Sequence, residues 1–190
     1  MTADMKLDPA GAALLIVDVQ EKLFAVMDGA ARARLLRNLL VLVETARRLG
    51  LPVVWSEQYP QGLGATVAEL AGALAAPGLR VHRLEKMEFS CAAAPGFGAI
   101  ADTVGRSLWI VAGIEAHVCV YQTIRDLAAA GASVHIPADA VLSRTAETCR
   151  IGIDLAARAG AVVTSTETIV FDLLHRAGTD DFKALSRLVK

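Results

Sequence analysis

The chain lacks most of the features that assign a function quickly. In 190 residues it has three cysteines, Cys91, Cys119 and Cys149, and four histidines. An odd number of widely spaced cysteines is a poor disulfide framework, and no CxxC pair offers metal-ligand spacing. No histidine precedes His82. An excess of one charge is missing too. Lys plus Arg is 19 and Asp plus Glu is 20, for a net charge of −1, which points to neither a nucleic acid nor a membrane surface as partner. The longest apolar runs are about ten residues, against the roughly 20 that a membrane span needs. The first residues, MTADMKLDP, carry two acids and no basic run before an apolar core, so no signal peptide is expected. Free thiols without an export signal place the protein in the cytoplasm. No GxGxxG follows the first apolar run and no GxxxxGK[ST] occurs. That argues against a dinucleotide-binding oxidoreductase; Gly62 and Gly64 are only a lone pair in a loop.

What is present is apolar and periodic. Hydrophobic residues make up 54% and charged residues 21%, a globular composition whose length suits one domain over residues 1–190. Mean hydropathy is +0.46. Abundant alanine accounts for part of this, and a surface covered by a second copy, in a homo-oligomer of two or more chains, accounts for the rest. β-Branched runs at 12–19, 52–56, 80–84, 107–112, 133–137 and 161–165 alternate with amphipathic stretches at 30–49, 66–74, 96–104, 117–130 and 145–159. The segment 57–64 reads as a loop and the tail 166–190 as helical, broken near Gly178. Strands apolar on both sides and separated by helices predict a three-layer α/β/α, doubly wound, Rossmann-like fold with a mostly parallel six-stranded sheet. Such sheets bind ligands beyond the carboxyl ends of their strands.

Asp18, Glu57, Lys86 and Cys119 all fall at or just after a strand end. Asp18 closes an apolar strand, where a carboxylate is costly unless paired or working; an N-cap or structural ion pair is the bland alternative. Cys119 lies in the first turn of a helix, where unpaired N–H groups and the dipole favour the thiolate. Position alone leaves it between nucleophile and inert core filler. Lys86 alone reads as a solvated lysine; beside Asp18 and Cys119 it completes an acid, amine and thiol set.

LLIVDVQ (14–20), KMEFS (86–90) and VAGIEAHVCVYQT (111–123) resemble the isochorismatase-like cysteine hydrolases, which include nicotinamidases and N-carbamoylsarcosine amidase. WSEQYPQGLG (55–64) and DFKALSRLVK (181–190) resemble the isochorismatase domain-containing subgroup, so the likeness runs through nearly the whole chain. It implies a catalytic triad of Asp18, Lys86 and Cys119. It also implies a cis peptide at Ile114–Glu115 and an oxyanion hole made by the backbone amides of Glu115 and Cys119. The expected reaction is hydrolysis of a small-molecule amide or related acyl bond through a thioester. The alternatives are a binding or scaffolding protein on the same fold and an isochorismatase-type vinyl ether hydrolase.

Nicotinamidases of this family hold a metal with an Asp-x-His pair and a further histidine after the second strand. Ser56 to Gln61 offers no such set here, so neither a catalytic metal nor a cofactor is expected. Gln20, Phe24, Tyr59, Phe89 and His117 are candidate substrate contacts, with core packing or a structural hydrogen bond as the alternative for each. His117 is also a rival base, but residues two apart on a helix point about 200° apart. His82, His135 and His175 have no partner at ligand spacing. Tyr121 reads as packing or an interface, and Cys91 and Cys149 as buried small hydrophobes.

Overall fold

The computed structural model describes residues 5–190; residues 1–4, at the start of the segment read for an export signal, lie outside it. Strand β1 is Ala12–Val17. It ends two residues earlier than the apolar run because Asp18 turns the chain at φ 50°. A short helix α1, Glu21–Ala25, unmarked in the sequence, follows. Helix α2, Gly29–Leu49, is capped by Asp28, which accepts from the Ala31 N–H, and stops at Gly50 in the left-handed region. Then come β2 (Val53–Gln58), α3 (Pro60–Leu63) and α4 (Ala68–Leu74). Strand β3 is Val81–Lys86, α5 is Phe97–Val104 and β4 is Leu108–Ile114. A π-helical turn, Ala116–Val120, leads into α6, Tyr121–Ala129. Strands β5 (Ser133–Pro137) and β6 (Val141–Leu142) precede α7 (Ala146–Arg158). The chain closes with β7 (Val162–Thr164), α8 (Thr166–Leu174) and α9 (Asp180–Leu185).

The sheet runs β3-β2-β1-β4-β5-β7, with β6 paired to the end of β4, and every strand pair is parallel. The fold is the expected doubly wound α/β. The expected six strands are seven, because Val141–Leu142 extends the sheet beside Gly113 and Ile114. Two residues are too short a run to show periodicity. Alternate residues of β1 feed two cores. Leu14 and Ile16 pack with Leu39, Leu42 and Ile169 on one side. Leu15 and Val17 pack with Phe97, Ile124 and Ile136 on the other. Burial on both faces explains why the strands read as continuous apolar runs. Strand order reverses between β1 and β4, and the crevice at that switch point is where such sheets hold ligands. No helix among the described residues is long and apolar enough to cross a membrane.

Helix α7 fixes the π-helical turn by close backbone approach. A Cβ on Gly152 would lie 2.5 Å from Ala116 C and His117 N, backbone atoms that cannot swing aside. Gly152→Ala is therefore expected to destabilise the protein by about 3 kcal/mol through overpacking. It should also displace Cys119. A urea midpoint and a turnover measurement on the same sample check both effects.

Candidate active site

The ends of β1, β2, β3 and β4 bring Asp18, Ser56, Gln58, Lys86 and Cys119 to one rim. Asp18 is fully buried. Its Oδ2 accepts from Lys86 Nζ at 2.6 Å and its Oδ1 from Ser56 Oγ at 2.7 Å. The other two Lys86 ammonium protons go to the carbonyls of Glu88 and Phe89, each at 3.1 Å. All three donors of a buried lysine are thus satisfied, which is the condition for keeping a charge there. Burial works against that charge. Burial is the largest single influence, yet the charge and hydrogen bond of Asp18 and the smaller opposing influences together hold the Lys86 pKa above the usual lysine range.

Cys119 is the fourth residue of the π-helical turn and is buried. Its Sγ lies 3.9 Å from Gln58 Oε1, and Asp18 acts on it through charge and as a hydrogen-bond acceptor. The expectation that the helix start favours thiolate is not met. Burial first, and the Asp18 charge second, push the thiol pKa well up, and Lys86 pulls it down by less. A five-residue turn has a small dipole, and burial together with the Asp18 charge outweighs it. The resting sulfur is a thiol beside a base.

The Ile114–Glu115 peptide is cis. The Glu115 carboxylate is engaged by Arg144, accepting from Arg144 N and Arg144 Nε at 3.1 Å each. His117 Nδ1 pairs with Ser143 Oγ at 3.0 Å, a partner other than the cysteine two residues on. Gln20 is fully buried, and its amide is spent on backbone. Nε2 donates to the carbonyls of Gln58 at 3.0 Å and Gly64 at 2.7 Å, and Oε1 accepts from Gln58 N at 2.8 Å. It is a clamp between β1 and β2, with no N–H left for a substrate. Phe24 is half-buried against the core, with the Arg32 guanidinium 5.9 Å above its ring. Tyr59, at φ 39°, lines a cleft of about 360 Å³ with Gln61, Lys86, Met87 and Glu88. That cleft includes neither Asp18 nor Cys119 in its lining. Phe89 supports Lys86 through its carbonyl while its ring is exposed.

Ser56, Gln58, Cys91 and Thr123 are site residues that the sequence reading passed over. Cys91 is more than a buried hydrophobe. Its thiol donates to Ser56 Oγ at 3.3 Å and its N–H to Thr123 Oγ1 at 2.9 Å, and burial pushes its pKa up to about 11. Alternation along WSEQ puts Ser56 and Gln58 on one side of β2, the signal that could have found them. Glu57, on the other side, accepts from Thr66 N and Oγ1 at 2.6 Å and pairs with Arg83, a structural role. Among the described residues, no group of three His, Cys, Asp or Glu side chains is placed to share a metal ion.

Comparison with known proteins puts this rim in a family. The Isochorismatase domain matches residues 12–168. The chain is 38% identical over 149 residues to "Isochorismatase domain-containing protein 1" of Salmo salar, covering 78% of this chain and 51% of that protein. It therefore spans about half the length of that relative. It is 34% identical over 189 residues to "Secreted isochorismatase effector Isc1" of Phytophthora sojae (strain P6497), covering 97% of this chain and 87% of the effector. Among solved structures, the "MAR1 Ribonuclease from Caenorhabditis elegans" superposes with a TM-score of 0.87 at 32% identity, covering 97% of this chain and 92% of that one.

Proposed function

Since the chain belongs to the isochorismatase-like cysteine hydrolase family, we propose that it is a metal-independent hydrolase of small-molecule amides or related acyl compounds, working through a thioester on Cys119. One observation carries this reading: a fully buried Asp18–Lys86 ion pair at 2.6 Å on the same strand-end rim as the Cys119 sulfur, at the switch point of the sheet.

Asp18 takes the Cys119 proton as the sulfur attacks the carbonyl carbon. The thiolate is thus made when it is needed and never stored. Lys86 keeps Asp18 in place and balances its charge. The backbone amides of Glu115 and Cys119 hold the oxyanion. Asp18 then returns the proton to the leaving group, and water, deprotonated by Asp18, releases the acid from the thioester. Residues 1–190 act as one hydrolase domain. No cofactor enters, and a cytoplasmic location and a homo-oligomer complete the reading. The ribonuclease description of the nematode protein is not carried over. Binding RNA draws on an excess of basic groups, whereas this chain is balanced and has Glu85 and Glu88 beside Lys86.

The test is hydrolysis of 4-nitrophenyl acetate before and after exhaustive dialysis against a chelator. Unchanged kcat is expected. Activity lost to the chelator and restored by zinc would overturn the metal-free assignment.

A further inference from the structure

Gln58 stands beside the sulfur, its Oε1 3.9 Å from Cys119 Sγ, and the mechanism above leaves it without a task. It is held unusually firmly. Its backbone N–H and C=O are both gripped by the Gln20 amide. It pairs in register with Lys86, and its place on β2 puts it on the same side as Ser56, whose Oγ touches Asp18. Its amide has one sensible orientation. Nε2 donates to the Met87 carbonyl at 3.3 Å, which turns Oε1 towards Cys119 Sγ, 3.9 Å away. The group facing the reacting centre is therefore an acceptor with no proton to give.

The sulfur must approach a carbonyl carbon to about 3–3.5 Å. The substituents on that carbon then lie beside Sγ, within reach of Oε1, which is 3.9 Å from the sulfur. The departing group has to face Asp18 to receive its proton. A departing nitrogen with an N–H has a second need, an acceptor for that N–H, and Oε1 supplies one. An ester oxygen brings only lone pairs and leaves Oε1 desolvated and opposed. We propose that Gln58 sets leaving-group specificity: its Oε1 accepts the N–H of the departing nitrogen, so the site takes N–H amides in preference to esters of the same acyl group. Once a bound substrate covers this part-buried side chain, an acceptor left unpaired discriminates by about tenfold to a hundredfold.

The inference rests on the hydrolase reading above, and the probes separate the two. 4-Nitroacetanilide and 4-nitrophenyl acetate carry the same acetyl group. With the anilide, the S–C bond forms as the thiol proton passes to Asp18. The C–N bond then breaks as the nitrogen takes that proton, giving 4-nitroaniline and acetyl-Cys119, which water converts to acetate. The readout is the ratio of kcat/KM for anilide over ester. Gln58→Met, similar in size and without an amide, should lower this ratio tenfold to a hundredfold. Ester turnover by the same sample reports whether the fold and Cys119 are intact. A ratio that stays within twofold of wild type overturns the inference, as does a wild-type protein that takes the ester and not the anilide. If Gln58→Met does not fold, wild-type protein is compared on 4-nitroacetanilide and its N-methyl derivative, which lacks the N–H. At least a tenfold preference for the N–H compound is expected, and comparable rates overturn the inference. Ester hydrolysis undiminished in Cys119→Ala would instead sink the hydrolase reading itself.

Discussion

Replacing Cys119 with alanine is expected to lower kcat by about 10⁴-fold or more on any substrate the protein turns over, because the covalent step on sulfur disappears. Cys91 cannot substitute. It is fully buried, its proton is engaged by Ser56, and burial keeps its pKa near 11. The fold should survive, since trading a buried thiol for a methyl costs about 1 kcal/mol. A matched circular dichroism spectrum and an unchanged urea slope are the controls. A variant that kept a tenth of wild-type activity would show that the sulfur is a bystander.

The second large effect is on the ion pair. Lys86→Met leaves the Asp18 carboxylate fully buried without a cation, with only neutral donors such as the Ser56 hydroxyl beside it. Breaking a buried pair from one side costs about 3–5 kcal/mol, a large share of the roughly 5–15 kcal/mol that holds a domain together. Asp18→Asn should cost a similar amount by stranding the ammonium. The double variant should be less destabilised than the sum, because it buries no lone charge. Denaturant midpoints for the four proteins complete the cycle, and additive losses would mean that the pair is not coupled. Asp18→Asn also separates charge from catalysis. Asp18 raises the Cys119 pKa while Lys86 lowers it. With Asp18 neutral, the thiol pKa must fall, so thiolate appears at lower pH and alkylation by iodoacetamide at neutral pH becomes faster than in wild type. Turnover nonetheless collapses, because nothing remains to carry the proton to the leaving group. Slower alkylation in Asp18→Asn would refute the assigned direction.

The sheet was legible because its strands are buried on both faces and its helices end on signals such as Gly50, in the left-handed region as a C-cap should be. The positions of Asp18, Lys86 and Cys119 at strand ends were legible for the same reason. Three things were not. The last two residues of β2 looked like loop because Pro60, Gly62 and Gly64 punctuate the segment they open, yet both are held in register beside Glu85 and Lys86. That misplacement hid Gln58. Gln20 looked like a substrate contact because it lies in the LLIVDVQ motif two residues after Asp18, and only geometry shows its amide used up on backbone. The state of Cys119 was misjudged because helix position is visible in a sequence, whereas burial and a carboxylate that arrives from another strand are not.

The most direct test of the account is to quench 4-nitrophenyl acetate turnover in acid within the first cycle and map the modified peptide by mass spectrometry. The account predicts one acetyl group on Cys119, removable by hydroxylamine as a thioester should be and absent from Cys119→Ala. Turnover with an unmodified Cys119, or an acetyl group that maps to Cys91, Lys86 or another side chain, would contradict it.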